Sequence, residues 1–251
     1  NPLSPEDSRR HIQVPEDFEV ELFASEEEFV NLANPVQMSF DNKGRLWIGV
    51  MPSYPHYKPG DSKPNDKLII LEDTDNDGKA DKETVFADGL HLTIGFEFAP
   101  EGVYVSQGTN LVLLKDTDGD DKADESAIEV LLTGWGIRDR HETINSLHWG
   151  PDGWLYGLEG FATPSKIRKP KGKGKIYRHN DAFPEDLLEA DGVDINGGVW
   201  RWHPTKKRFE VVAHGFSNPW GIDYDAKGQL FISACVIPHL FHIIPGGIYH
   251  R

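Results

Sequence analysis

The stretch that decides the fold is LHWGPDGWLYG at residues 147–157, in which two apolar strands flank a Gly-Pro-Asp-Gly turn. An apolar strand, a glycine-centred turn and a second apolar or aromatic strand recur at residues 38–48 (MSFDNKGRLWI), 96–105 (FEFAPEGVYV) and 222–232 (IDYDAKGQLFI). Glycine supplies the positive φ that such a turn needs, so each copy predicts a β-hairpin. Four such hairpins in one chain indicate a repeat architecture.

Two of the hairpins are followed by a second repeated unit, in which a strand, an acidic loop and another strand succeed each other. These units are LIILEDTDNDGKADKETVFADGL at residues 68–90 and LVLLKDTDGDDKADESAIEVLLTG at residues 111–134. Four antiparallel strands per unit, repeated about every 40–50 residues, are typical of propeller blades. The predicted fold class is therefore all-β, a β-propeller with four-stranded antiparallel blades. Four blades are readable, and we expect them to be part of a propeller of six or more.

The domain organisation follows from the same repeats. We interpret residues 1–251 as a single propeller domain that is incomplete at its C-terminus, because the pattern stops soon after Ile243. Residues 161–196 form a long insertion in the third blade, with the basic stretch KIRKPKGKGK at residues 166–175. That composition predicts a solvated loop, and a lid that contacts an anion or substrate is the alternative.

Composition excludes several classes of function. The net charge of −15 argues against a nucleic-acid partner, since a phosphate-binding surface needs a basic excess. No apolar run reaches 18 residues, so no membrane-spanning segment is predicted. The single cysteine, Cys235, lies in an apolar run and is expected to be a small buried hydrophobe; without a partner it leaves no CxxCH site, hence no haem in this chain. The polar start of the chain suits the processed N-terminus of a periplasmic or secreted protein.

Two nine-residue acidic loops, DTDNDGKAD from Asp73 and DTDGDDKAD from Asp116, carry aspartates at alternate positions. Ca²⁺ takes six to eight oxygen ligands, and alternate aspartates on a tight loop bring several carboxylates to one point, as at the D-x-D-x-D-G start of an EF-hand loop. The predicted ligands of two calcium ions are Asp73, Asp75, Asp77, Lys79 and Asp81 in the first loop and Asp116, Asp118, Asp120, Lys122 and Asp124 in the second, with each lysine acting through its carbonyl.

The loops also depart from an EF-hand. Asp121 replaces the glycine at position six of the second loop, and Thr84 and Ala127 stand where an EF-hand has a bidentate glutamate. Strands, not helices, are predicted on both sides. We therefore expect structural sites of modest affinity that suit extracellular calcium, with a solvated acidic turn as the alternative.

Candidate catalytic and binding residues lie on the loops that lead into the innermost strand of each blade. His141 and Arg140 are the candidate catalytic residues, because the histidine shares its loop with two arginines and two acids that tune a general base. The candidate cofactor- or substrate-binding residues are Arg138, Asn218, His91 and Asn34. For each of them, an ordinary turn or surface residue is the alternative. His148 and His203 adjoin tryptophans within strands and are expected to be packed.

The motifs PEDFEVELFA (residues 15–24), FDNKGRLWIG (40–49), HWGPDGWLYG (148–157) and NPWG (218–221), together with the acidic loops, carry a family resemblance. The chain resembles the propeller domain of large planctomycete-type proteins labelled membrane-bound dehydrogenases, or haem-binding proteins when a cytochrome domain follows. That family is similar to the soluble quinoprotein glucose and sorbosone dehydrogenases, which are six-bladed propellers that bind pyrroloquinoline quinone with calcium.

The resemblance also suggests roles for individual residues. The general-base histidine of those quinoproteins stands shortly before a GPDG turn, which implies that role for His141. Their cofactor-facing Arg-Asn-Pro matches Asn218 and Pro219, with Ser217 in place of the arginine, and Phe161 stands where they have an aspartate.

Three functions follow as hypotheses. The first is a calcium-stabilised, extracytoplasmic propeller that acts on carbohydrate as a quinoprotein-type sugar dehydrogenase, with His141 taking the hydroxyl proton while hydride passes to the quinone. The second is a carbohydrate lyase with His141 as base and Arg140 holding a uronate. The third is a non-catalytic binding or scaffold module. The expected partners are a carbohydrate or other small-molecule substrate, and the remaining blades or domains of a longer protein.

Overall fold

The computed structural model describes residues 3–55, 64–171, 185–236 and 239–250. A short helix, α1 (Pro5–His11), starts the chain, with the Ser4 hydroxyl accepting the Asp7 N–H as its N-cap. The remaining regular structure is almost entirely strand. None of the helices in the described ranges has the length and apolar character to cross a membrane.

Four antiparallel sheets form the blades of a β-propeller, which confirms the predicted fold class. Blade 1 comprises β1 (Pro35–Phe40), β2 (Leu46–Val50), β3 (Asp66–Glu72) and β4 (Lys82–Leu90). Blade 2 comprises β5 (Phe96–Ala99), β6 (Gly102–Gln107), β7 (Asn110–Leu114) and β8 (Glu129–Thr133). Blade 3 comprises β9 (Asn145–Trp149), β10 (Leu155–Glu159), β13 (Gly198–His203) and β14 (Arg208–Gly215), and blade 4 comprises β15 (Asn218–Tyr224), β16 (Leu230–Cys235) and β17 (Leu240–Ile243).

The antiparallel pairing gives every blade the same two ends. The innermost strands β1, β5, β9 and β15 begin at one end, which we call the upper end, and run to the hairpin turns at the other, the lower end. Since the third strand runs antiparallel to the second, it starts at the upper end and finishes at the lower end. Loops before an innermost strand therefore lie at the upper end, and loops after a third strand lie at the lower end.

Apolar side chains between successive blades form the core. Phe96 and Phe98 of β5 pack toward blade 1, Leu147 and Trp149 of β9 toward blade 2, and Ile222 and Tyr224 of β15 toward blade 3. The equivalent residues of β1 are Met38 and Phe40, and they are 69% and 63% exposed. The outer part of that face of blade 1 is covered by residues from the segment 23–32.

The described part of the insertion differs from the solvated loop expected at residues 161–196. Strands β11 (Ser165–Ile167) and β12 (Val193–Ile195) pair antiparallel, and β11 lies beside β8 of blade 2 through a Thr133–Arg168 bridge. Ile167, Leu188 and Ile195 are buried. Buried apolar residues therefore fix the insertion to the propeller, which its basic composition did not indicate. Residues 172–175 of the basic stretch lie outside the described residues.

The end of the chain brings two further differences. A last strand, β18 (Ile248–Tyr249), pairs parallel with β14, so the sheet of blade 3 has five strands and that of blade 4 has three. Cys235 is exposed, and the expectation of a buried cysteine is wrong. It occupies the final position of β16, on the face of the strand where Ser233 is exposed as well.

Candidate functional site

Buried polar side chains concentrate at the upper end of the propeller. With the exception of Ser25, every buried polar or charged residue in the described ranges belongs to strand ends or loops there: Asp66, His91, Thr93, Ser106, Gln107, Asn110, Thr133, Thr143, Asn145, Glu159, Thr163 and Ser165. A buried polar group costs free energy unless it is hydrogen-bonded, and such groups collect where a protein binds or reacts. The upper end is therefore the candidate functional face.

Unusual backbone conformations also occur where the blades begin at this end. Leu92, Ser146 and Phe216 have φ values of 54°, 52° and 69°, and all three lie at or just before the start of an innermost strand. Positive φ is unfavourable for bulky side chains and persists only where the surrounding structure imposes it. The blade entrances are thus held in strained shapes at the face that carries the buried polar groups.

His141 lies at the upper end, on the loop before β9. Its Nδ1 is 3.0 Å from Asp139 Oδ1, which also accepts the His141 backbone N–H at 2.9 Å. The ring of Tyr54, from the loop after β2, meets the imidazole edge-on at 5.4 Å. Burial and the charge of Asp139 raise the pKa of Tyr54. The side chain of His141 is 62% exposed, so an aspartate orients an imidazole that solvent and ligands can reach.

A depression of about 410 Å³ adjoins this loop, and we call it the rim depression. Its walls are Arg138, Asp139, Phe161, Ala162, Pro164 and Asn196. The structure therefore brings the loop of His141 together with the first turn of the insertion. Sequence reasoning named Asp139 as one of the acids beside His141, but it missed Tyr54, whose contact with His141 depends on how loops from two blades meet.

The other predicted site residues occupy separate places at the upper end. Asn218 starts β15 beside the rim depression, where the Phe161 N–H donates to the Ser217 carbonyl at 2.8 Å. His91 is buried at 1% exposure beneath the entrance of blade 2. Asn34 has a φ of 52° and its amide donates to the Met51 carbonyl at 3.3 Å, which is the geometry of a turn residue. Arg140 is partly exposed on the His141 loop.

Glu159, at the end of β10, is the most perturbed carboxyl of the upper end. It is fully buried, and burial raises its pKa to about 8. Hydrogen bonds to the Ser165 hydroxyl and the Gly197 backbone lower the pKa, but by less than burial raises it. The Ser165 oxygen is in very close contact with the carboxyl, accepts the Gly136 N–H at 2.8 Å and lies 2.7 Å from the Thr163 carbonyl. These hydrogen bonds are all satisfied when Glu159 is protonated. The carboxyl O–H then donates to the Ser165 hydroxyl oxygen, and the Ser165 O–H donates to the Thr163 carbonyl.

A second space, the central cavity, lies between the innermost strands. It has a volume of about 270 Å³, with Val36, Ile94 and Ile222 as apolar walls and Ser146, His148 and Trp220 among its other walls. The Ser146 hydroxyl donates to the Trp220 carbonyl at 2.5 Å and ties β9 to β15. His148, which was expected to be packed, is 41% exposed here, whereas His203 packs edge-on against Trp154.

His148 belongs to a set of equivalent positions that we call the channel ring. Ser39, Glu97, His148 and Asp223 each lie opposite an aromatic residue of the second strand, namely Trp47, Tyr104, Tyr156 and Phe231. His148 Nδ1 is 3.9 Å from Glu97 and Nε2 is 4.0 Å from Asp223. Burial raises the pKa of Glu97. Superposing the four hairpin sequences would have revealed this ring.

The two acidic loops connect β3 to β4 and β7 to β8, so they lie at the lower end, opposite His141. In the first loop Asp73, Asp75 and Asp81 place one oxygen each within 4.8 Å of one another, and Asp116, Asp118 and Asp120 do so in the second. Asn76 and Gly78 have positive φ, as do Gly119 and Asp121 at the same two positions. Asp81 and Asp124 also accept hydrogen bonds from Thr74 and Thr117.

The structure explains the aspartate at position six of the second loop. Asp121 keeps the left-handed conformation, with a φ of 61°, and its carboxylate lies 2.8 Å from Arg45 on the hairpin turn of blade 1. Arg45 is 11% exposed and also pairs with Asp41 at 2.8 Å. A glycine would allow the turn and lose this link between blades.

The GPDG turn of blade 3 is structural. Asp152 accepts the Tyr156 hydroxyl at 2.9 Å and pairs with Arg201 at 3.2 Å, while the guanidinium lies 4.2 Å above the ring of Trp154. The motif therefore fixes the lower end of blade 3 and does not itself face the upper end.

Comparisons with known proteins give one family and two similar structures. The model of a family described as "Domain of unknown function (DUF7133)" matches residues 4–249. The chain is similar to a Thermus thermophilus protein provisionally named an oxidoreductase (glucose dehydrogenase), at 19% identity and a TM-score of 0.49, over 87% of this chain and 64% of that one. It is also similar to a luciferin-regenerating enzyme, at 12% identity and a TM-score of 0.30, over 87% and 76% of the two chains. No curated protein sequence matches significantly.

Proposed function

The chain belongs to the DUF7133 family, and from that premise we propose that it is a calcium-stabilised propeller that acts on a carbohydrate at its upper end, in the periplasm or outside the cell. The observation that carries the proposal is the coincidence at one end of the buried polar side chains, the strained blade entrances and the oriented imidazole of His141.

His141 is suited to take a proton from a carbohydrate hydroxyl. Asp139 holds Nδ1, which leaves Nε2 of the exposed ring for a substrate, and the carboxylate stabilises the imidazolium that forms. Arg138 borders the adjoining rim depression and supplies the positive charge that an oxyanion or a uronate needs. Phe161, 39% exposed, offers an apolar surface to a sugar ring.

Sugar oxidation, which the resemblance to planctomycete-type dehydrogenases and quinoproteins favours, also needs an acceptor for hydride. Pyrroloquinoline quinone is a tricarboxylate, whereas the rim depression is lined by one arginine and one aspartate. Ser217 and Phe161 supply neither of the charged groups that the quinoproteins carry there. These residues do not fit the quinone, so we derive no hydride step, and oxidation rests on the resemblance alone.

Calcium has a structural role in this proposal. The acidic loops lie at the lower end, away from His141, and the second of them is tied to blade 1 through Arg45. Loops without the bidentate glutamate of an EF-hand bind calcium weakly, which suits compartments where calcium is near millimolar. This supports an extracytoplasmic location.

The test is turnover and binding by the full-length protein in calcium. Sugars and uronates are screened for dye reduction with added pyrroloquinoline quinone, for an ultraviolet-absorbing elimination product, and for binding by calorimetry. His141→Ala should lower the turnover found by at least about 100-fold, the usual contribution of a general base. The matched control is His11→Ala, on helix α1. Full turnover in His141→Ala would remove His141 from the mechanism, and binding without any turnover would favour the binding module.

A further inference from the structure

Two walls of the rim depression are joined by the buried carboxyl group of Glu159. Ser165 contacts this carboxyl and directly follows the wall residue Pro164 in the chain. The backbone of Gly197 hydrogen-bonds the same carboxyl, and Gly197 directly follows the wall residue Asn196. One buried side chain therefore links the two segments of the insertion that border the depression.

The Ser165 hydroxyl extends this link to a third wall. Its oxygen accepts the Gly136 N–H at 2.8 Å, two residues before the wall residue Arg138, and lies 2.7 Å from the Thr163 carbonyl. A hydroxyl has one proton to donate and accepts two hydrogen bonds. Since Ser165 donates to Thr163, its oxygen is free to accept both the Gly136 N–H and a proton-bearing carboxyl of Glu159.

The loop of His141 lies against the residue that follows Glu159. The Gly160 N–H donates to the Glu142 carbonyl at 2.9 Å, and a Cβ at Gly160 would collide with the Glu142 side chain. Glu142 directly follows His141 in the chain. The end of β10 that carries Glu159 is thus in contact with the loop of the candidate base.

We propose that Glu159 is a positioning residue of the candidate site, whose carboxyl group fixes the walls of the rim depression and the loop of His141 in the arrangement that binds substrate. This rests on the proposed function. Burial keeps the carboxyl protonated to about pH 8, and an ionised carboxylate has no proton to give Ser165. The arrangement is therefore present below this pKa and is lost as pH rises through it.

The charged side chains around Glu159 do not set its protonation. On the elements packed about it, the titratable or charged groups in the described ranges are those of residues 138–142, Lys166 on β11, Asp194 on β12 and His214 on β14. The pKa of Glu159 is raised by burial and lowered by hydrogen bonds to Ser165 and Gly197, without a contribution from these groups. Replacing Glu159 should therefore remove the loss of the arrangement at high pH.

The experiment measures hydrogen exchange of the full-length protein at about pH 7 and about pH 9, as protection factors corrected for the intrinsic effect of pH. One unit above the pKa about a tenth of the carboxyls keep their proton, so protection of residues 136–142 and 160–165 should fall about tenfold in the wild type. Glu159→Gln keeps a donor for Ser165 and should retain this protection at both pH values. Glu97→Gln, at a carboxyl whose pKa burial also raises but which is not a wall of the rim depression, should respond like the wild type.

Unchanged protection in the wild type, or the same fall in Glu159→Gln, would overturn the inference. An equal fall in the hairpin turns at residues 41–45 and 225–229 would also overturn it, because it would show general unfolding. Ser165→Ala removes the link to Gly136 and should lower protection of residues 136–138 already at about pH 7; unchanged protection there would contradict the inference. This variant keeps the test valid if Glu159→Gln does not fold.

Calorimetric titration with D-glucuronate separates this inference from the proposed function. The wild-type affinity should fall about tenfold between the two pH values, and that of Glu159→Gln by less than about threefold. His141 is present in both proteins, so the difference between them reports on Glu159. An equal fall in both would contradict the inference. Absence of D-glucuronate binding would count against a uronate at the rim depression, while the exchange result still decides whether Glu159 holds its walls.

Discussion

At the residue scale, the structure assigns partners that a linear sequence cannot show. His141 stands before the GPDG turn, and its place at the upper end follows from the hairpin repeat. Its orientation by Asp139 and its contact with Tyr54 depend on loop folding within one blade and between two. Glu159 looks in sequence like the polar end of a strand, yet the insertion covers it through Ser165 and makes it a buried acid.

Glu159 should make stability fall as pH rises. The folded state holds the proton to about pH 8, while the unfolded carboxyl loses it near the ordinary value of 4.5. Between these values the folded state binds more protons, so the free energy of unfolding decreases with pH. Denaturant unfolding at pH 5 and at pH 7 measures this decrease. Between the two pH values, the free energy of unfolding should fall by about 2 kcal/mol more in the wild type than in Glu159→Gln.

The control for this prediction is Glu16→Gln, at an exposed carboxylate, which should follow the wild type. The same pH dependence in the wild type and in Glu159→Gln would show that the buried carboxyl does not hold its proton.

At the element scale, the acidic loops were the most predictable feature, because alternate aspartates on a tight turn constrain the backbone strongly. Their position between third and fourth strands is confirmed, and both adopt left-handed residues at the same two places. Which carboxylates converge was not predictable. The first loop brings in Asp81 and the second Asp120, while Asp124 has a lowered pKa because Thr117 donates two hydrogen bonds to it.

Calcium should stabilise the protein through these loops, and Asp75→Ala should remove one site. A site with a dissociation constant of about 0.1–1 mM contributes about 1.4–2.7 kcal/mol at about 10 mM calcium. Thermal unfolding in calcium and in chelator should therefore show a smaller calcium-dependent shift for Asp75→Ala than for the wild type. Asp88→Ala is the control. Equal stability of the wild type in chelator and in calcium would contradict the prediction that calcium stabilises the protein by binding to the two acidic loops.

For the whole molecule, the hairpin repeat predicted the fold class and the four blades because the period-2 strands and glycine turns are local signals. Three features were not predictable, since each depends on contacts between distant segments. They are the buried apolar residues of the insertion, the exposure of Cys235 and the pairing of β18 with β14 of blade 3. The six-bladed or larger propeller stays a prediction.

Met38 and Phe40 mark the face of blade 1 that should receive another blade. Their equivalents in blades 2 to 4 lie in the core between blades, while these two are largely exposed. These 251 residues alone should therefore associate through this face, and Met38→Ser/Phe40→Ser should reduce association in sedimentation velocity. Unfolding stability should change by less than about 0.5 kcal/mol, as is usual for exposed positions.

Val193→Ser, at a side chain that is 40% exposed on β12 of the insertion, is the control for this prediction. A wild-type chain that stays monomeric at high concentration would contradict the prediction, because it would show that this face of blade 1 needs no partner.

The most direct test of carbohydrate action at the upper end is hydrogen exchange of the full-length protein with and without a mixture of neutral hexoses and uronates. Ligand contact slows exchange by stabilising the backbone around it. We predict protection in residues 92–96, 137–148 and 218–222, and unchanged exchange in the hairpin turns at residues 41–45, 150–154 and 225–229. Protection confined to those turns, or no protection anywhere, would contradict the assignment of the upper end as the functional face.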